Sequence, residues 1–214
     1  MYAKFFKRFF DVILSLTALI ILSTILLILT IIGAFVMNGN PFFIQKRPGM
    51  IDKKTGEERI LSLLKFRTMT NERDSEGNLL PDEKRLVPYG KFLRSSSLDE
   101  LPSLINILVG SLSIVGPRPL LIAYLPRYSP EQRRRHEVRP GLTGYAQAYG
   151  RNSLTWEEKF EKDVYYVDHI SLWLDIKIIF KTVAVVLKRE GISSETSATM
   201  EEFMGTEKEQ LLPK

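Results

Sequence analysis

Asp99 and Glu100 stand side by side in Ser96-Ser97-Leu98-Asp99-Glu100-Leu101-Pro102, between a serine run and a proline. Adjacent carboxylates repel, so the stretch needs a compensating field. Apolar residues from Leu98 to Val109 recur at helical spacing and Gly110 supplies a stop, which predicts a helix with the acid pair in its first turn. Pro102 is tolerated in a first turn and not later, placing the start near Asp99. The positive end of that helix would keep both groups ionised. Such a pair can hold a divalent cation, and one member can attack phosphorus, forming an acyl phosphate, once cations mask the substrate's charge. Ser97-Leu98-Asp99-Glu100 equally fits a capping box with no chemistry attached, and spacing alone leaves both readings open.

The basic residues best suited to masking phosphate are Lys65, Arg94, Arg118, Arg139 and Arg151, in or beside short strands, turns and glycine-rich loops. The elements that must position them follow from pattern. Pro41 to Gln45 and Ile60 to Met69 predict a small β-hairpin around a charged, turn-rich excursion. Asn71 to Pro88 is a polar surface loop with one short helix. Gly116-Pro117-Arg118-Pro119 and Arg139-Pro140-Gly141-Leu142-Thr143-Gly144 are rigid loops, and Leu120 to Glu137 is helix broken at Pro126 and Pro130. Thr155-Trp156-Glu157-Glu158 caps an amphipathic helix, and Ser171 to Glu190 forms another, closed by Gly191. Trp156, Tyr165, Tyr166 and Trp173, beside Lys and Arg, suit helices lying in a membrane interface and equally suit a core. From Ser193 the chain turns polar without periodicity, as a disordered tail does.

The 214 residues, 44% of them hydrophobic, suffice for one domain with a real core. With no cysteine and only two histidines, disulfides and a zinc site are excluded. The formal charge of +5 admits nucleic acid, an anionic membrane or phosphorylated ligands. No Walker A, dinucleotide or nucleic-acid motif is present, so no nucleic-acid partner is expected. Arg133-Arg134-Arg135 is assigned instead to anionic headgroups.

The N-terminus favours the membrane. Val12 to Met37 contains no charge in 26 residues, roughly 39 Å as a helix against about 30 Å of hydrocarbon. The run exceeds a signal peptide's apolar stretch and has no cleavage site. Lys4, Lys7 and Arg8 precede it and Lys46, Arg47, Lys53 and Lys54 follow, so both flanks carry the charge kept in the cytoplasm. One solution is a re-entrant helix, bent where Ser15, Thr17, Ser23, Thr24 or Thr30 satisfies opened backbone groups; its rival is an ordinary spanning helix.

Lys65-Phe66-Arg67-Thr68-Met69, Ser97 to Pro102, Val115-Gly116-Pro117-Arg118-Pro119, Arg139 to Gly144 and Gly150-Arg151-Asn152 together resemble the bacterial sugar transferase family, the monotopic phosphoglycosyl transferases. The resemblance runs in order from the N-terminus to about Ser194. It implies a mixed α/β, mostly helical fold: a re-entrant membrane helix (1–38), a catalytic domain (39–192) with a small hairpin and interfacial amphipathic helices, and a flexible tail (193–214). It implies transfer of a sugar phosphate from a UDP-sugar to undecaprenyl phosphate at the cytoplasmic face of the bacterial inner membrane, releasing UMP. Asp99 would be the nucleophile, Glu100 would help it hold Mg2+, and Lys65, Arg94, Arg118 and Arg151 would bind substrate. Ping-pong kinetics follow from the covalent step. Asn71 to Leu80 and Trp156 to Tyr166 look most like members that start N-linked protein glycosylation with an N-acetylated amino-sugar such as diacetylbacillosamine. Two departures stand out: Ser23 is followed by Thr24 where the family commonly has a Ser-Pro pair, and the turn from Lys53 to Glu58 is longer. A non-catalytic scaffold and a UDP-sugar hydrolase are the rival functions, and a homo-oligomer stays open.

Overall fold

The computed structural model describes residues 2–150, 154–188 and 202–205. The fold is mixed α/β and 54% helical. Its opening turn, Tyr2–Phe6, is π-helical and leads into α1 (Lys7–Ile21), which breaks at Leu22 before α2 (Ser23–Val36). The two axes differ by 64°, and no single described helix is long and apolar enough to cross a membrane. Ser23 donates to the Ile20 carbonyl at 2.8 Å, the hydroxyl back-bond expected to ease such a bend without proline.

α1 is built inside out relative to a soluble helix. Lys7, Asp11 and Ser15, spaced one turn apart, are its buried residues, while Phe9, Ile13, Leu16 and Ile20 are exposed. The polar stripe docks the helix. Lys7 pairs with Asp175 at 2.7 Å, and Ser113 Oγ and the Ile114 amide donate to Asp11 at 2.8 and 3.0 Å. Arg8 donates to the carbonyls of Ile107 and Leu108. Lys7 and Arg8, read from sequence as free flanking charges, are thus spent on holding anchor to domain.

The hairpin joins β1 (Phe42–Ile51) and β2 (Glu58–Phe66), antiparallel from Phe42 opposite Phe66 to Pro48 opposite Ile60, with a shift between Pro48 and Ile51. Both strands are longer toward the turn than the sequence suggested, because the ladder tolerates Pro48. The polar loop that follows holds α3 (Asp82–Arg85), and α4 (Pro88–Ser96) precedes the acid pair. Leu98–Glu100 is a single 3₁₀ turn, and α5 (Ser103–Val109) starts only after Pro102. The capping box that Ser97 and Glu100 could have made does not form: Ser97 sits at φ 58°, left-handed, with no side-chain cap. The left-handed residue turns the chain sharply between α4 and the acid pair.

β3 (Ser113–Val115) pairs in parallel with β4 (Gly141–Thr143), so the two segments read as rigid loops meet. Glycine permits it, since a Cβ on Gly141 would lie 2.1 Å from the Gly116 nitrogen. Between them lie a 3₁₀ run (Ile122–Arg127), α6 (Pro130–Arg133) and a 3₁₀ turn (Arg134–His136), matching the broken helix expected. α7 (Tyr145–Ala148), α8 (Trp156–Asp168) and α9 (Leu172–Lys188) complete the order. Thr155 and Glu158 form the expected capping box of α8. The expected stop at Gly191 lies outside the described residues, as does most of the tail.

Leu61, Leu63, Leu104, Ile107 and Leu112 form one core, against which Ala18, Leu19 and Leu22 of the anchor pack. Val115, Ala148, Tyr166 and Ile178 form a second. Tyr124, Tyr128, Phe160 and Phe203 form a third, so residues 202–205 return to the domain. The interfacial aromatics divide: Tyr166 is buried and Trp156 packs on the aromatic core, whereas Trp173 is 65% exposed on α9.

Candidate active site

The 3₁₀ turn, the end of β2, the loop after β3 and the edge of β1 converge on a cleft of about 950 Å³. Asp99, Glu100, Lys65, Arg94 and Arg118 all line it. Glu100 is held from two sides: Lys65 Nζ and an Arg118 nitrogen each lie 2.7 Å from Oε1. Burial opposes its ionisation, but Arg118 and Lys65 outweigh burial and hold the carboxyl at about 2. Arg94 donates to Thr68 Oγ1 at 3.1 Å instead of to either acid.

Asp99 accepts no hydrogen bond among the described residues. Burial, then the neighbouring Glu100 charge, push its pKa up, against the pull of Lys65, Arg118 and Arg94. The two carboxylates therefore differ in kind. One is locked as an ion-pair hub; the other is desolvated, facing open cleft, and made more basic than an ordinary aspartate.

Arg139 does not join the site; its Nε donates to the Gly110 carbonyl at the end of α5. Arg151 lies outside the described residues. Arg133, Arg134 and Arg135 are all in ion pairs, with Glu58, with Glu131 and Asp168, and with Asp163 respectively. Arg135 is 2% exposed, so it is structural and takes no part in a headgroup patch, whereas Arg133 is exposed and Arg134 partly so. The cleft also contains Phe43, Gln45, Arg47, Asn71 and Gln147, which sequence reasoning left unassigned. For Phe43 and Gln45 the alternation of β1 was the available signal, whereas the strand expected from sequence stopped short of Arg47.

Among the described residues no three His, Cys, Asp or Glu side chains come together to hold a metal. Two adjacent carboxylates do meet the donor habit of Mg2+, which takes one or two and leaves the rest to phosphate and water.

A profile of the bacterial sugar transferase family matches residues 2–189. The chain belongs to that family, a family of transferases. It is 52% identical over 205 residues to an uncharacterized sugar transferase, EpsL, of Bacillus subtilis, covering 94% of this chain and 96% of that one. It is 39% identical over 188 residues to the UDP-glucose:undecaprenyl-phosphate glucose-1-phosphate transferase of Klebsiella pneumoniae, covering 83% of this chain and 39% of that one. It is 31% identical over 195 residues to a UDP-N-acetylgalactosamine-undecaprenyl-phosphate N-acetylgalactosaminephosphotransferase of Aeromonas hydrophila, covering 87% of this chain and 45% of that one. The chain thus spans less than half the length of the last two.

Proposed function

We propose that this protein moves a sugar 1-phosphate from a UDP-sugar to undecaprenyl phosphate at the cytoplasmic face of the bacterial inner membrane. The observation that carries the reading is the asymmetry of the acid pair, with Glu100 clamped by Lys65 and Arg118 and Asp99 unpartnered in the cleft. An Asp99 oxygen bonds to the sugar-bearing phosphorus. The bond from that phosphorus to the bridging oxygen breaks, and its electron pair leaves on UMP. An oxygen of the lipid phosphate then attacks the same phosphorus and returns Asp99 as carboxylate. Splitting the transfer lets one small site meet a soluble and then a lipid substrate in turn.

Lys65, Arg118 and Arg94 surround the phosphate over Asp99 and favour the ionised nucleophile. Arg151 is assigned to the same substrate. Asp99 and Glu100 are the residues that would hold Mg2+, which when bound neutralises phosphate charge. The donor we favour carries an N-acetylated amino-sugar, as diacetylbacillosamine does, and the product feeds glycoconjugate assembly, protein glycosylation included.

The test is UMP release by the purified protein from a panel of UDP-sugars, with and without Mg2+ and undecaprenyl phosphate, for wild type and Asp99→Asn. Turnover that needs lipid, metal and Asp99, with a phosphosugar adduct on Asp99 by mass spectrometry when lipid is withheld, is the expected result. UMP release indifferent to lipid would replace the transferase by a hydrolase; none with any donor would leave a scaffold.

A further inference from the structure

The cations of the cleft are not evenly matched with anions. Lys65 and Arg118 share Glu100, and Arg135 pairs with Asp163. Among the described residues Arg47, like Arg67 and Arg94 of the same cleft, forms no ion pair. Phe43, Gln45 and Arg47 follow at the two-residue period of β1, so they share a face, and all three line the cleft. The Nε of Arg47 is buried with no hydrogen-bond partner, and its side chain makes no ion pair among the described residues. A buried charged donor left without a partner is costly, so the position wants an anion.

The surroundings say which anion. Burial first, then repulsion from Arg118, lower the Arg47 pKa from its ordinary value, while Glu100, Tyr124 and Tyr128 pull the other way. Asp99, Arg118 and Arg47 line the same cleft, and Arg118 reaches Glu100, the residue next to Asp99, at 2.7 Å. A diphosphate with one phosphorus over Asp99 therefore has Arg118 beside it and Arg47 within the same cleft.

We propose that Arg47 is a leaving-group clamp: with Arg118 it grips the diphosphate of a nucleotide donor, and it takes the phosphate that departs with the nucleotide. This rests on the transferase reading above. As Asp99 bonds to the sugar-bearing phosphorus, the breaking bond delivers its electron pair to the bridging oxygen of the nucleoside monophosphate. That oxygen is where negative charge grows, and the Arg47 guanidinium, ionised and with an uncommitted N–H, is placed to meet it. An anion seated between two repelling guanidiniums also relieves their repulsion.

The experiment uses the full chain in detergent with Arg47→Gln and Arg47→Lys. Arg47→Gln is expected to lower kcat/KM for the UDP-sugar about 30-fold and to weaken product inhibition by UMP by the same factor, as loss of one charge-assisted contact predicts. The kcat/KM for undecaprenyl phosphate should stay put, because in a two-step exchange the nucleotide has gone before the lipid reacts. Arg47→Lys should recover part of the loss. Unchanged donor kcat/KM and UMP inhibition in a folded Arg47→Gln protein overturns the proposal, and so does a loss confined to the lipid, which would make Arg47 an acceptor site. Should Arg47→Gln not fold, Arg47→Lys with both kinetic constants fully wild type overturns it as well. If wild type releases no UMP, the transferase reading falls separately, and calorimetric titration of UMP into wild type and variants still decides whether Arg47 holds a nucleotide phosphate.

Discussion

His136 is sealed under the hairpin turn, its Nδ1 donating to the Gly49 carbonyl at 3.0 Å and its Nε2 buried without a partner. Burial first, then the charge of Arg135, lower its pKa to about 4, against the opposing pull of that hydrogen bond and of Glu58. The unfolded chain takes up the proton near 6.5, its ordinary value, whereas the folded one resists until about 4. Stability from this group is therefore complete above 6.5 and drains away as pH falls toward 4, by about 3 kcal/mol in all. Thermal midpoints in detergent should fall through that window for wild type and stay flatter for His136→Gln; parallel curves would remove His136 from the account. Glu100, held at about 2 against an ordinary 4.5, gives up its own contribution only as pH falls from about 4.5 toward 2, so it touches just the foot of this window. At this scale the structure brings the acid pair, Lys65 and Arg118 into one cleft, as their residue types and the turns beside them suggested. Arg47 was not legible in the sequence: in one dimension it is one flanking charge among several, and only the pairing of β1 with β2 sets it in the cleft. Of the two readings open for the stretch at Ser97, the helix cap is not the one formed: the chain uses Ser97 at φ 58° to turn.

At the scale of elements the least legible contact is Phe203, in a segment whose composition reads as solvated tail. It is 1% exposed, with ring centroids 4.9 Å from Phe160 and 5.5 Å from Trp156, while Arg127 pairs with Glu202 at 2.8 Å. Trp156 lines the cleft, as do Arg135 and Asp163 beside the same rings. The returning segment thus braces the wall that faces the substrate. Phe203→Ala should cost about 3 kcal/mol, as truncating a buried phenylalanine does, seen as a drop of roughly 6 to 12 °C in the thermal midpoint for a chain of this size. An unchanged midpoint would mean the segment rests on the surface and braces nothing. Hairpin, broken helix and the cap of α8 were readable because their signals are local: turn residues, prolines, a Thr-x-x-Glu. The β3 to β4 pairing joins segments with some 25 residues between them, and no local pattern encodes a partner at that distance.

For the whole molecule the question is how the apolar helix pair and the polar domain are joined. A spanning helix would carry its first residues to the side opposite the domain that follows it. Here the Tyr2 hydroxyl donates to Asp175 at 2.6 Å, Lys7 pairs with the same carboxylate, and Arg8 holds the end of α5. At the other end α2 runs directly into the hairpin, with Leu29 packed on Phe66 and Leu93 and its carbonyl accepting from Tyr89 at 2.8 Å. Both ends of the apolar pair therefore attach to one domain, which the 64° bend makes geometrically workable. Breaking the Lys7 and Asp175 pair by removing one partner would strand a buried charge, at roughly 3 to 5 kcal/mol, so the attachment is not casual. The expected topology is re-entrant, with the N-terminus and the catalytic domain on the cytoplasmic side. Because the chain has no cysteine, Ala3→Cys and Glu83→Cys give unique labels at exposed positions. In intact cells a membrane-impermeant maleimide should reach neither, and after lysis it should reach both. Labelling of Ala3→Cys in intact cells while Glu83→Cys stays protected would defeat the re-entrant reading, and would require the anchor to leave the Asp175 contact in the bilayer.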